Sequence, residues 1–143
     1  MVSGREGLFR RPHLLMLRLG VTGAGGRMGK TLIEMIHGAE GLTLGAAFER
    51  SDSTLLGVDA GELVGVGALG VPVESDVAAA SDRFDVLIDF SVPEATLSLL
   101  PVLLDCGRKL VIGTTGFDAA GQAAIEAAAE QIAVLKAPNM SVG

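Results

Sequence analysis

Continuous apolar runs alternate with segments of helical periodicity from residue 17 to the end of the chain. Short apolar runs are typical of strands buried in a parallel sheet, whereas apolar residues at three- and four-residue spacing are typical of amphipathic helices. The pattern predicts strands at residues 17–22, 42–48, 85–90, 110–112 and 132–136, and helices at residues 27–38, 93–106 and 119–131. This alternation predicts an α/β fold: a doubly wound parallel sheet with helices on both faces.

Three residues predict where helices begin or end. Pro93 suits a first helical turn, Gly107 suits the position just after a helix, and Asp118 suits an N-cap. Between residues 51 and 72 the periodicity stops and five glycines punctuate the chain. We expect a surface loop there with little regular structure, followed by a short edge strand at residues 71–73.

Composition supports one acidic globular domain. The chain has 143 residues, of which 49% are hydrophobic, so it can bury a core. With 11 Lys and Arg against 17 Asp and Glu, its net charge of −6 argues against a basic face for nucleic acid. The single cysteine, Cys106, excludes an internal disulfide. Because no apolar stretch approaches the ~18 residues of a membrane span, we expect a cytoplasmic protein that contacts no membrane.

Residues 1–16 precede the first predicted strand. Arg18 interrupts the apolar run that begins at Leu14, so this end of the chain has no signal-peptide core. We expect residues 1–16 to be a flexible extension, with Met16 as a candidate start, and residues 17–143 to form the domain.

A glycine-rich turn lies between the first strand and the first helix. Gly23, Gly26 and Gly29 give the spacing G-x-x-G-x-x-G, while Met28 stands where the usual G-x-G-x-x-G pattern has its last glycine. Glycines after a strand let the backbone approach a phosphate, and the amides and dipole of the following helix favour negative charge. The pattern favours a Rossmann-like dinucleotide site over a tight turn that binds nothing.

The same residues permit a second interpretation. Residues 24–31 nearly match the phosphate-binding loop G-x-x-x-x-G-K-[ST], with Ala24 in place of its first glycine. Lys30 would then contact the phosphates of a nucleoside triphosphate, and Asp89, at the end of an apolar strand, would bind magnesium.

Glu49 favours the dinucleotide. It ends the second predicted strand, 20 residues after Gly29, where dinucleotide-binding domains place an acid that binds the adenosine ribose. Arg50 follows it and is positioned to contact a 2′-phosphate. Taken alone, this pair is equally compatible with exposed charges at the end of a strand.

Five segments together resemble the N-terminal part of 4-hydroxy-tetrahydrodipicolinate reductase, also called dihydrodipicolinate reductase. They are GAGGRMG at residues 23–29, FER at 48–50, IDFSVPE at 88–94, VIGTTGF at 111–117 and APNMSVG at 137–143. Each is weakly specific alone, but their order and spacing make the resemblance specific, and it covers residues 17–143.

The resemblance implies a reductase that uses NADH or NADPH to reduce a cyclic dicarboxylate imine in the diaminopimelate route to lysine. It implies that Glu49 binds the ribose and Arg50 the 2′-phosphate. It also implies further cofactor contacts, which are Gly23, Ala24, Gly25, Gly26, Arg27 and Met28 at the pyrophosphate, Phe90, Ser91, Gly113, Thr114 and Thr115 in the crevice, and Ala137, Pro138, Asn139 and Met140 at the nicotinamide. Without it, residues 113–116 are better explained by a turn between strand and helix, and Asn139 by a capping or turn residue.

The resemblance also implies that the substrate domain begins after Gly143. That domain carries the family's catalytic His and Lys motif and its tetramer interface, so no catalytic residue is predicted here. We expect this chain to bind a small-molecule dinucleotide without turnover, either as a monomer or with non-specific association. A non-catalytic nucleotide-binding module is the alternative that remains beside the nucleoside triphosphatase.

Overall fold

A computed structural model describes residues 16–136. The predicted N-terminal extension, apart from Met16, lies outside the described residues. So do the candidate cofactor contacts Ala137, Pro138, Asn139 and Met140.

Strands and helices alternate along the described residues. The strands are β1 (Leu17–Thr22), β2 (Leu42–Phe48), β3 (Val73–Glu74), β4 (Val86–Asp89), β5 (Lys109–Ile112) and β6 (Val134–Lys136). The helices are α1 (Arg27–Gly38), α2 (Ala60–Val64), α3 (Pro93–Cys106) and α4 (Ala119–Ala128). A single 3-10 turn at Ser81–Arg83 precedes β4.

Within residues 16–136, the strands form one sheet in the order β3-β2-β1-β4-β5-β6, with every neighbouring pair parallel. This is the strand order of the doubly wound dinucleotide-binding fold, so the predicted fold class is confirmed. The chain winds outward from β1 to β2 and β3, then returns to β4 on the other side of β1. That reversal opens a crevice at the carboxyl ends of β1 and β4.

Two apolar clusters cover the two faces of the sheet. Ile33 and Ile36 of α1 pack in one cluster with Val21 of β1. Leu103 of α3 and Ile125 of α4 pack in the other, against strand and loop residues on the opposite face. The helices therefore lie on both faces, as the apolar spacing predicts.

Residues 51–72 are more ordered than the sequence predicts. The short helix α2 forms there, and Gly65, with φ +83°, ends it in the left-handed conformation. The Asp59 carboxylate accepts hydrogen bonds from five backbone amides, which belong to Gly61, Glu62, Leu69, Gly70 and Val71. The bond from Leu69 is the largest cause, and with those from Glu62, Val71 and Gly70 it holds the pKa of Asp59 below its usual value. One carboxylate thus joins the start of α2 to residues 69–71, in a segment that has no periodicity of its own.

At the amino ends of the strands, Arg18 and Asp85 join β1 to the segment before β4. An Arg18 guanidinium nitrogen lies 2.9 Å from an Asp85 oxygen, and the Arg18 amide donates to the same carboxylate at 3.0 Å. The Arg18 side chain holds the pKa of Asp85 below its usual value. This ion pair lies at the edge of the sheet opposite the crevice.

Candidate functional site

Two adjoining clefts form the crevice at the carboxyl ends of β1 and β4. The smaller has a volume of about 450 Å³ and the larger about 820 Å³. The residues that line both clefts, and so mark their junction, are Gly23, Gly26, Phe90, Ser91 and Val92. A long ligand can therefore lie across this junction with one end in each cleft.

The N-terminus of α1 opens at the junction. Its N-cap, Gly26, offers no side-chain cap, and its first turn contains no acidic residue. The other two long helices have an acidic residue at their start: α3 also lacks a side-chain cap but has Glu94 in its first turn, and Asp118 caps α4 by accepting from the Gly121 amide at 2.8 Å. Unpaired first-turn amides and the positive end of the helix dipole favour an anion at the start of α1.

Close backbone contacts explain two of the glycines in this turn. A Cβ atom on Gly29 would lie 2.0 Å from the Gly23 carbonyl oxygen. Gly23 itself has φ +69°, a left-handed conformation that side chains disfavour, and a Cβ there would lie 2.4 Å from the Phe90 carbonyl oxygen. Gly29 also lines the smaller cleft, although the sequence analysis did not assign it to the site.

Ala24 and Gly25 line neither cleft. Ala24 is fully buried in the core, and its amide donates to the Phe48 carbonyl at 3.1 Å. Its methyl group packs inward because the turn folds back onto β2, so the assignment of Ala24 as a cofactor contact stays a prediction. The Gly25 amide donates to Glu49 Oε2 at 2.7 Å, so Gly25 positions the acid.

Glu49 follows the end of β2 and lines the larger cleft. Its bond to Gly25 places the carboxylate directly against the glycine turn. A ligand that crosses the start of α1 and enters the larger cleft would meet this carboxylate.

Arg50 lines the larger cleft but is engaged by a neighbour. Its guanidinium pairs with Asp52 at 3.2 Å, and both side chains are highly exposed. The sequence pattern predicts neither this pair nor the lining hydroxyls Ser51, Ser53 and Thr54. Nothing in their local sequence distinguishes them from ordinary loop residues.

The ends of β4 and β5 supply the rest of the smaller cleft. Phe90, Ser91, Gly113, Thr114 and Thr115 all line it, as the resemblance implied. The Phe90 ring covers Gly113 so closely that a Cβ on Gly113 would lie 2.2 Å from a ring carbon. Glycine is required there because the aromatic ring occupies the space of a side chain.

The three residues that only the phosphate-binding-loop interpretation uses, Lys30, Thr31 and Asp89, line neither cleft. Lys30 and Thr31 are exposed and line neither cleft, and the Thr31 hydroxyl donates to the Arg27 carbonyl at 3.0 Å. Asp89 is fully buried, and its carboxylate accepts hydrogen bonds from nearby hydroxyl groups. Across residues 16–136, no three His, Cys, Asp or Glu side chains come close enough to hold a metal ion. In the same part of the chain, no helix is long and apolar enough to cross a membrane.

Comparison with known proteins gives a family match over most of the chain. The family model described as dihydrodipicolinate reductase, N-terminus, matches residues 17–140.

Solved structures share the fold. The dipicolinate-bound dihydrodipicolinate reductase from Paenisporosarcina sp. TG-14 is 24% identical with a TM-score of 0.67, over 87% of this chain and 48% of that one. An amine dehydrogenase from Mycobacterium smegmatis is 26% identical with a TM-score of 0.59, over 67% and 29% of the two chains. The biliverdin reductase of Synechocystis sp. PCC 6803, in complex with biliverdin and NADP+, is 14% identical with a TM-score of 0.64, over 84% and 37%. The chain spans half or less of the length of each.

Proposed function

Because the chain belongs to the family of dihydrodipicolinate reductase N-terminal domains, we propose that residues 17–143 form a domain that binds NADH or NADPH in this crevice. The observation that carries the proposal is the uncapped N-terminus of α1, which opens where the two clefts meet, with the Glu49 carboxylate beside it. A dinucleotide has the matching order of groups: a central anionic pyrophosphate, and a ribose with paired hydroxyls on its adenosine side.

The pyrophosphate would lie over the first turn of α1. Gly26 exposes its backbone at the cleft junction, and the nearest atom to a Cβ there, among the described residues and apart from its chain neighbours, would be the Gly23 carbonyl oxygen at 3.4 Å. That open space above unpaired amides fits a phosphate. Arg27 and Met28 would flank it from the smaller cleft.

The two ends of the cofactor would then occupy different clefts. In the larger cleft, Glu49 would accept hydrogen bonds from the adenosine ribose hydroxyls. In the smaller cleft, the nicotinamide half would lie beside Phe90, Gly113 and Thr115, and residues 137–140 would close over it. When bound, the cofactor supplies the hydride for reduction, while this domain holds and orients it.

We propose for the whole protein the reduction of a cyclic dicarboxylate imine, 4-hydroxy-tetrahydrodipicolinate, in lysine biosynthesis. The family match supports this substrate, and the structure of the Paenisporosarcina relative contains dipicolinate, which is also a cyclic dicarboxylate. We propose that the substrate-binding and catalytic groups, and the family's tetramer interface, lie outside these residues. This chain by itself would then bind the cofactor without turnover.

Calorimetric titration tests the function. We expect NADH or NADPH to bind the 143-residue chain without magnesium, and a reductase assay with freshly generated substrate to show no turnover. Because the chain has no Trp or Tyr, cofactor emission under direct excitation gives an independent binding signal. Magnesium-dependent binding of ATP, with no binding of either dinucleotide, would instead support the nucleoside triphosphatase.

Arg50 is expected to set the preference between the two cofactors. Replacing Arg50 with alanine removes a charged donor near the predicted 2′-phosphate, so NADPH affinity should fall about tenfold and NADH affinity should not change. Asp52→Ala should have the opposite effect on NADPH affinity. It releases the Arg50 guanidinium from its ion pair, so NADPH affinity should rise. Equal losses of both cofactors in Arg50→Ala would contradict the assignment.

A further inference from the structure

Asp89 lies directly behind the junction of the two clefts. It is the last residue of β4 and is fully buried. Its carboxylate accepts hydrogen bonds from four hydroxyl groups, which belong to Thr22, Ser91, Thr96 and Thr114. Among residues 16–136 it has no ion-pair partner within 4.0 Å. These hydroxyls come from β1, the loop after β4, the first turn of α3 and the loop after β5. One buried charge thus joins the segments that surround the junction.

The Ser91 hydroxyl has one acceptor much closer than the others. Its oxygen lies 2.6 Å from Asp89 Oδ1, but 3.5 Å from the Val92 carbonyl oxygen and 3.4 Å from the Thr96 hydroxyl. A carboxylate has only lone pairs to offer, so in this bond Ser91 must be the donor. Short hydrogen bonds from a hydroxyl to a charged oxygen are the strong ones. The single Ser91 proton is therefore directed inward, away from the clefts.

Ser91 lines both clefts. Because its proton is already donated to the buried Asp89 carboxylate, its hydroxyl oxygen can only accept a hydrogen bond from a ligand. This position therefore offers no donor to a phosphate or a carboxylate and favours a neutral hydrogen-bond donor. On the nicotinamide side of NAD(P)H, the neutral donors are the carboxamide amino group and the ribose hydroxyls.

We propose that Asp89 is a positioning residue that fixes Ser91 as a hydrogen-bond acceptor, and that Ser91 thereby selects a neutral donor on the nicotinamide half of the cofactor. This inference rests on the proposed cofactor binding and deepens it. The start of α1 receives the anionic pyrophosphate, while Ser91 accepts from the uncharged group next along the ligand. The opposite preferences of these two neighbouring positions set the direction in which the dinucleotide lies.

The test compares NAD+ with nicotinic acid adenine dinucleotide, in which a carboxylate replaces the carboxamide. Dissociation constants are measured by calorimetry for the 143-residue chain. For the unchanged chain we expect NAD+ to bind about tenfold more tightly, the equivalent of one hydrogen bond. Ser91→Ala should weaken NAD+ about tenfold and bring the ratio of the two constants towards one.

Asp89→Asn tests whether Asp89 orients the Ser91 hydroxyl or only stabilises the fold. The asparagine amide can donate to one of the surrounding hydroxyls, so Ser91 is no longer forced to direct its proton inward. We expect the preference for NAD+ over the acid analogue to shrink, a change in selectivity that a general loss of stability would not produce. Asp85→Asn, just before the other end of β4, is the matched control and should leave the ratio unchanged.

The outcomes identify which group of the cofactor donates to Ser91. They also separate failure of this inference from failure of the proposed function. If Ser91→Ala weakens both dinucleotides equally and their ratio stays as in the unchanged chain, the donor is a ribose hydroxyl and the proposal stands. If the unchanged chain binds NAD+ but Ser91→Ala alters neither constant, the inference is overturned and the proposed function survives. If the unchanged chain binds NADH or NADPH but neither NAD+ nor its acid analogue, the inference alone is overturned. If it binds none of these dinucleotides, both are overturned.

Discussion

Replacing Gly26 with valine is expected to reduce the affinity for NADH and NADPH by about 100-fold while the domain stays folded, which corresponds to losing about two charge-assisted hydrogen bonds. Gly26 has φ −81° and ψ 172°, extended backbone that valine adopts readily. The branched side chain would project into the cleft junction and exclude a phosphate from the amides of α1. Calorimetry gives the affinity, and circular dichroism verifies the fold.

Lys30→Ala is the matched control for this prediction. Lys30 is in the same first turn of α1 but is exposed and lines neither cleft, so its removal should leave cofactor affinity unchanged. A folded Gly26→Val variant with full affinity would contradict the pyrophosphate assignment. Loss of nucleotide binding in Lys30→Ala would favour the phosphate-binding loop instead.

Replacing Gly29 with alanine is expected to destabilise the domain by about 3 kcal/mol and to lower Tm by roughly 10 °C. The added Cβ would lie 2.0 Å from the Gly23 carbonyl oxygen and 3.0 Å from the Ala24 Cα, so backbone atoms would have to move. The turn cannot yield easily, because Gly23 is itself held closely against the Phe90 carbonyl. Thermal and urea unfolding followed by circular dichroism measure the loss.

Gly38, at the other end of the same helix, provides the control. Beyond the helix's own backbone and the two neighbouring residues, no atom of residues 16–136 lies within 4 Å of the Cβ that Gly38→Ala would add, and alanine stabilises a helix by up to about 1 kcal/mol relative to glycine. Gly38→Ala should therefore leave Tm unchanged or raise it. Equal Tm values for Gly29→Ala and the unchanged protein would show that the turn is looser than this packing requires.

Much of the fold is predictable from the sequence because its signals are local. The bounds of β1, α1, β2 and α3 agree with the predicted ranges, since each element has its own apolar run or amphipathic stripe. Gly107 ends α3 in the left-handed conformation, with φ +69°, as its position predicts. The prediction is less accurate where such signals fade: α4 ends at Ala128 instead of residue 131, and β6 begins at Val134 instead of residue 132.

Part of the candidate site is also determined by local sequence. A glycine turn follows β1, and one helix and one strand later Glu49 returns to the same edge of the sheet, because a parallel crossover brings successive strand ends together. The segment from residue 51 to 72 is different. Its fold depends on Asp59 accepting amides up to 12 residues away, and no periodicity predicts that.

Only the tertiary structure decides which groups surround the junction of the clefts. Thr22 is 67 residues from Asp89 along the chain and Thr114 is 25 residues from it, yet both hydroxyls donate to that carboxylate. Each hydroxyl is ordinary in its own element, so the sequence alone does not reveal that they converge. The alternation of apolar runs and helices determines where each strand ends, whereas the packing of the sheet determines which side chains meet there. A hydrogen bond depends on the distance between atoms in space, not on their separation along the chain.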